Sequence, residues 1–175
     1  MILLVIDTQE LIMTDKLYRF ESLKTNITRL IEAARSTRTE IIYIRHDDGP
    51  QEPLTAGTPG FEIFHAFSPQ PKDQIFDKSV NSPFKESGLL QYLTAKNETQ
   101  LIVTGLQTDF CINATIISGF EHGFQMIVPA GANSTVDNPY MTAEQSYHYF
   151  NDFIWPRRYA KCISVEQTTA DYLTG

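Results

Sequence analysis

Three polar residues of unlike type each follow directly on a short apolar run: Asp7 after "MILLVI", Lys78 after "QIFD" and Cys111 after "LIVTGLQTDF". A carboxylate, an ammonium and a thiol brought together suit one kind of chemistry. A thiol with a pKa near ~8.5 is mostly protonated at neutral pH, and a helix N-terminus or a nearby cation lowers that value. Cys111 stands at the start of a helical pattern, and Lys78 would be the cation. Asp7 would accept the thiol proton and return it to a leaving amine, which is the work of a general acid/base. The turn before Cys111 would offer backbone N–H groups to an oxyanion. Each residue alone has a plainer role. Free cysteines are often buried core residues, an aspartate at a strand end caps a loop, and most lysines are solvated. Only joint placement makes the trio chemical.

The elements that must achieve this placement are legible as short β-branched runs alternating with stretches of helical period. That alternation is the pattern of an α/β chain whose parallel sheet is covered on both faces. Strands are predicted at Ile2–Ile6, Glu40–Arg45, Asp73–Phe76, Gln100–Thr104, Gln125–Val128 and Cys162–Val165. Between the first two, Leu23, Ile27, Leu30, Ile31 and Ala34 mark one apolar helix face. Further helices fit Pro83–Ala95, with Pro83 in the first turn, Cys111–Glu121, Pro139–Ile154 and Glu166–Leu173. In such a sheet the C-terminal strand ends share one edge, and ligands bind where the strand order reverses. Asp7, Lys78 and Cys111 all lie at predicted strand ends.

The segment from Asp47 to Lys72 replaces an expected helix with a Pro/Gly-rich loop. Loops of that length in a compact domain are commonly functional. Phe61, Ile63, Phe64 and Phe67 give it apolar anchors, so it reads as an ordered lid or wall. With 175 residues and 42% hydrophobic content, the chain has the material for one domain spanning 1–175. Its net charge of −7, spread without blocks of like charge, argues against nucleic acid or an anionic membrane as partner. "MILLVIDTQ" has no basic flank and too short an apolar run for a signal peptide or a spanning helix, so a cytoplasmic location is expected. Cys111 and Cys162 are then expected to be reduced. No Gly-x-Gly-x-x-Gly follows the first strand, which weakens a dinucleotide-binding reading.

At "LLVIDTQ", "IIYIRHDDG", "DKSVNSPF", "LIVTGLQTDFCINAT" and "SYHYF" the chain resembles the isochorismatase-like hydrolases, a large group of cysteine hydrolases, over nearly its whole length. The resemblance implies a three-layer α/β/α sandwich with a Rossmann-like central parallel sheet of about six strands. It implies a catalytic triad of Asp7, Lys78 and Cys111, an acyl-enzyme on Cys111, and a cis peptide at Leu106–Gln107 that aims the N–H groups of Gln107 and Cys111 at an oxyanion. It also implies a homo-oligomer, a dimer or larger. Nicotinamidases of the family hold a metal through an aspartate and a histidine after the second strand. Here the segment reads "RHDDGP", without Asp-x-His, so no metal and no cofactor are expected, although His65 stands downstream. True isochorismatases cleave a vinyl ether and lack the cysteine, so its presence favours carbonyl hydrolysis. Gly131 stands where the family often has an aspartate.

The expected substrate is a small molecule, an amide or similar carbonyl compound. Gln9, two residues beyond Asp7, could contact Asp7, a substrate or only a loop. Phe61, Phe84 and Phe110 are candidates for an apolar pocket wall, with core packing as the alternative. The aromatic helix around His148, "SYHYFNDFIW", could bury Tyr147, Phe150 and Trp155 against another subunit. Two competing readings remain: a non-catalytic ligand-binding or assembly protein on the same fold, and a metal-dependent amidase of the nicotinamidase type.

Overall fold

In the computed structural model, which describes residues 1–174, the apolar runs become β1 (Ile2–Ile6), β2 (Glu40–His46), β3 (Gln74–Lys78), β4 (Gln100–Leu106), β5 (Gln125–Pro129), a two-residue β6 (Asn133–Ser134) and β7 (Ala160–Ile163). All pair in parallel, in the order β3-β2-β1-β4-β5-β7, with β6 extending the β4 edge beyond β5. This is the doubly wound order, and its direction reverses between β1 and β4. Every residue of β1 is buried, because helices cover both faces of its neighbourhood.

On one face, alternate strand residues Leu3, Val5, Ile41, Tyr43 and Ile102 pack against α1 (Phe20–Ser36) and α5 (Val165–Tyr172). The five α1 residues read from the sequence, Leu23, Ile27, Leu30, Ile31 and Ala34, are its buried stripe. On the other face, Ile2, Leu4, Ile6, Ile42, Leu101 and Val103 meet α2 (Leu89–Ala95), α3 (Asn113–Glu121) and Trp155. The architecture is therefore the expected α/β/α sandwich, with one more short strand than anticipated.

Several boundaries differ from the sequence reading, each for a local reason. The helix expected from Pro83 starts only at Leu89, because Gly88 takes φ +86° and Ser87 Oγ accepts from the Leu89 N–H. The helix expected from Pro139 starts at Ala143: Thr142 and Gln145 form a reciprocal capping box there, opening α4 (Ala143–His148). It continues as a wide π turn over Tyr149–Ile154. Tyr147 and Trp155, read as possible subunit contacts, are buried in this chain's own core, and Phe150 packs beside them. Tyr149 and Phe153 are the exposed aromatics instead. Cys162 lies inside β7 rather than opening it, since the strand begins two residues earlier.

The long loop is ordered, with 3-10 turns at Pro59–Phe61 and His65–Phe67 and with Leu54, Phe61, Ile63, Phe64 and Phe67 buried. It is stitched to the segment after β1: the Phe64 N–H donates to Thr8 O (2.7 Å) and the Glu10 N–H to Glu62 O (2.9 Å). No described helix is long and apolar enough to cross a membrane.

Candidate active site

The strand ends at the topological reversal carry the chemistry. Asp7, the residue after β1, has φ +50°, a conformation that aspartate tolerates better than most side chains. Its N–H donates to Ile44 O of β2 at 2.9 Å, which fixes the turn. Lys78 ends β3, and His46 ends β2 opposite it in register. Cys111 lies in a π turn, Thr108–Ile112, that joins β4 to α3; it does not stand in the first turn of an α-helix as the sequence suggested. The Leu106–Gln107 peptide before this turn is cis, and both the Phe110 and the Ile112 N–H groups converge on Gln107 O at 3.1 Å.

β1 and β4 approach closely at this edge because of Gly105. It has φ +116°, and a Cβ built there would lie 2.0 Å from Ile6 O, so no side chain fits. The nucleophile turn is held from behind by buried polar contacts. Thr108 Oγ1 donates to Asn133 Oδ1 (2.8 Å), and Asn133 exchanges hydrogen bonds with Asn151 (2.9 and 3.1 Å). The Asp109 carboxylate accepts from Thr135 Oγ1 (2.5 Å) and Asn138 Nδ2 (3.3 Å).

Asp7, Lys78 and Cys111 come together as one cluster. Lys78 Nζ donates to Asp7 Oδ2 at 2.7 Å and to Cys111 Sγ at 3.3 Å, and lies 3.0 Å from His46 Nδ1. Lys78 and Asp7 side chains are 0% and 3% exposed, so this is a buried ion pair. Asp7 Oδ1 is buried with no hydrogen-bond partner among the described residues. A native structure seldom leaves such an atom idle, and Asp7 borders a cavity.

That cavity has a volume of about 210 Å³ and is lined by Asp7, Ile12, His46, Leu54, Asn81, Gln107, Phe110 and Cys111. Of the four side chains proposed as pocket walls, only Phe110 lines it. Gln9 is wholly buried and clamps the β2 end to the loop: its Oε1 accepts from the His46 N–H (2.8 Å), and its Nε2 donates to His46 O and Phe61 O (both 3.0 Å). Phe61 packs beneath the Arg45 guanidinium at 4.3 Å. Phe84 stacks on Phe124 in the core, with ring centroids 5.6 Å apart. Gly131 contacts Asn26 and Tyr147 at the far end of β5 and does not border the cavity.

The sequence reading did not assign His46, Asn81, Leu54 or Asp109 to the site. His46 satisfies the same strand-end criterion that picked out Asp7, so "YIRH" carried a usable signal. Asn81, whose Oδ1 is 3.7 Å from Cys111 Sγ, and Leu54 reach the site from loops and had none.

The electrostatics correct one expectation. Burial pushes the Cys111 thiol up to about 12, and the Asp7 charge adds to the effect while Lys78 opposes it. Burial likewise raises Asp7 above the usual carboxylate range, against the pull of Lys78. The resting sulfur is therefore a protonated thiol beside a carboxylate that readily takes a proton, not a preformed thiolate. Asp7, His46 and Cys111 each bring one potential metal-ligating atom, all within 4.8 Å of one another. The Lys78 ammonium already lies within hydrogen-bond distance of all three, so a metal there would have to displace a buried cation. His65, the other histidine considered, pairs with Glu10 at the surface.

Known proteins share both sequence and fold with this chain. The isochorismatase domain family matches residues 1–167. Streptothricin hydrolase from Streptomyces noursei is 28% identical over 110 residues, which are 63% of this chain but only 40% of that protein. The ureidoacrylate amidohydrolase RutB of Methylobacterium radiotolerans is 30% identical over 88 residues, 50% of this chain and 34% of its own length. The chain thus spans less than half the length of these curated relatives. Among solved structures, the crystal structure of an isochorismatase family protein superposes with a TM-score of 0.86 at 28% identity, covering 93% of this chain and 97% of the other. With sequence matched from the first residue to the last helix and the same doubly wound sheet beneath it, this chain belongs to the isochorismatase family of hydrolases.

Proposed function

We propose that the protein is a metal-independent cysteine hydrolase that cleaves the C–N bond of a small amide, or a similar carbonyl compound, through a Cys111 acyl-enzyme. The observation that carries this reading is Asp7 Oδ1, a buried carboxylate oxygen without a partner among the described residues, on a side chain that borders the same small cavity as the Cys111 thiol. As the sulfur attacks the carbonyl carbon, the thiol proton passes to Asp7. The carbonyl oxygen becomes an oxyanion that the N–H groups of Gln107 and Cys111 stabilise. The C–N bond then breaks, and Asp7 returns its proton to the leaving nitrogen, leaving a thioester on Cys111. Water attacks the thioester with Asp7 as base, and the thiol recovers its proton from Asp7 as the acid is released.

Lys78 holds the Asp7 charge in place and supplies a positive field beside the sulfur, which offsets part of the cost of ionising a buried thiol. The apolar wall of Ile12, Leu54 and Phe110, with Asn81, Gln107 and His46 among the polar groups around it, suits a small uncharged molecule. The similarity to RutB, a ureidoacrylate amidohydrolase, supports the same bond class. The exposed Tyr149 and Phe153 support assembly as a homo-oligomer, which light scattering measures directly.

The decisive experiment screens a panel of small amides against wild type and Cys111→Ala, with and without chelator. Turnover by wild type alone, unaffected by chelator, is the expected result. Equal turnover by both proteins rules out the nucleophile, and activity lost to chelator and restored by zinc rules out metal independence.

A further inference from the structure

We propose that His46 is a positioning residue of the site: its imidazole Nδ1 accepts the third proton of the Lys78 ammonium and so holds that cation against the Cys111 sulfur. The proposal rests on the reading of Cys111 as nucleophile. An ammonium has three N–H donors and no acceptor. Lys78 Nζ is fully buried and has three acceptors around it, Asp7 Oδ2 at 2.7 Å, His46 Nδ1 at 3.0 Å and Cys111 Sγ at 3.3 Å. The count closes, one proton to each.

Two consequences follow from that count. Because Lys78 can only donate, His46 Nδ1 must carry a lone pair, which places the imidazole proton on Nε2. That nitrogen lies 3.1 Å from Asp48 Oδ1, close enough for the carboxylate charge to favour a proton there. The hydrogen-bonded chain therefore runs from His46 on β2 through Lys78 on β3 to Asp7 and Cys111. Without the imidazole one ammonium proton loses its acceptor, and Asp7 Oδ2 and the sulfur are left to hold Nζ without a contact on that side.

The His46 backbone is held independently of its side chain. Gln9 bonds both its N–H and its carbonyl, and β2 pairs with β3 in register at His46 and Lys78. Side-chain substitutions there can therefore be read without losing the strand.

The test uses iodoacetamide, itself a small amide. The Cys111 sulfur displaces iodide from its methylene carbon while the thiol proton passes to Asp7. Mass spectrometry gives the alkylation rate at Cys111, with Cys162 in the same protein as internal reference. His46→Leu, which fills the space without an acceptor, is expected to slow Cys111 alkylation at least ~10-fold, the scale of a hydrogen bond to a charged group. His46→Asn, whose Oδ1 can accept near the position of Nδ1, is expected to recover most of the wild-type rate, and Cys162 is expected to be unaffected throughout. A purely structural role for His46 would move the thermal midpoint in both variants without this rescue. If the leucine variant does not fold, His46→Ala takes its place in the comparison. The proposal is overturned by a folded His46→Leu protein that alkylates Cys111 at the wild-type rate, or by an asparagine variant as slow as leucine. Failure of the underlying reading looks different, since Cys111 in the wild type would then react no faster than Cys162.

Discussion

Replacing Lys78 with methionine keeps the aliphatic stem and removes only the ammonium. In the native site that ammonium sits 2.7 Å from Asp7 Oδ2, with both side chains buried. The other carboxylate oxygen lacks a partner among the described residues, so Lys78→Met removes the cation that pairs with the buried Asp7 charge. Removing one member of a buried pair costs about 3–5 kcal/mol. The cost depends on pH, and its direction follows from Asp7. Burial already raises the folded carboxylate above its usual range, and Lys78 opposes that rise, so its loss raises Asp7 further. Between the unfolded pKa of ~3.9 and the folded value, the native state binds the extra proton, and stability falls by about 1.4 kcal/mol per pH unit. The wild type follows the same slope only up to its own, lower folded value, so the variant's deficit is small where Asp7 is protonated in both proteins and reaches its full size only at higher pH. At neutral pH it corresponds to a melting temperature lower by about 6–20 °C for a domain of this size. Denaturant titrations at several pH values, followed through the single, fully buried Trp155, measure the deficit directly. A deficit of equal size at pH 4.5 and 7.5 would refute the reasoning, because lost packing rather than an uncompensated charge would then be its cause.

Asp7→Asn is expected to lower Cys111 alkylation by at least ~100-fold at neutral pH, the low end of what a general base contributes. In the wild type the same rate is expected to fall with decreasing pH as Asp7 takes its proton, above the usual carboxylate range; a profile unchanged in Asp7→Asn speaks against Asp7 as base. Gly105→Ala forces β1 away from β4 at Ile6 and is expected to cost about 4 kcal/mol or more by chemical denaturation. Asp109→Ala strands two donors behind the nucleophile turn and is expected to cost about 1–3 kcal/mol. It should also slow Cys111 alkylation although Asp109 does not border the cavity, and an unchanged rate would show that the turn holds itself.

Much of the fold was legible because its signals are local. The uninterrupted apolar run of β1 and the α1 stripe from Leu23 to Ala34 state burial on two faces and on one, and the structure agrees residue by residue. The strand-end rule singled out Asp7, Lys78 and Cys111, because a parallel sheet must bring such ends to one edge. Helix starts were less legible where capping decided them. Ser87 and Thr142 set boundaries that periodicity alone placed several residues early.

The chain by itself determined a parallel α/β sheet, the few polar residues that end its strands, and a loop with enough aromatic anchors to be ordered. Those are properties of pattern, since period and composition dictate which residues face a core. Tertiary structure alone decided that Gln9 is a clamp, that Phe61 and Phe84 belong to packing, and that His46 meets Lys78. It also turned the expected shift of the Cys111 thiol from downward to upward. A thiol's proton affinity depends on how far water is excluded and on which charges stand within a few ångströms, and neither distance is written in residue order.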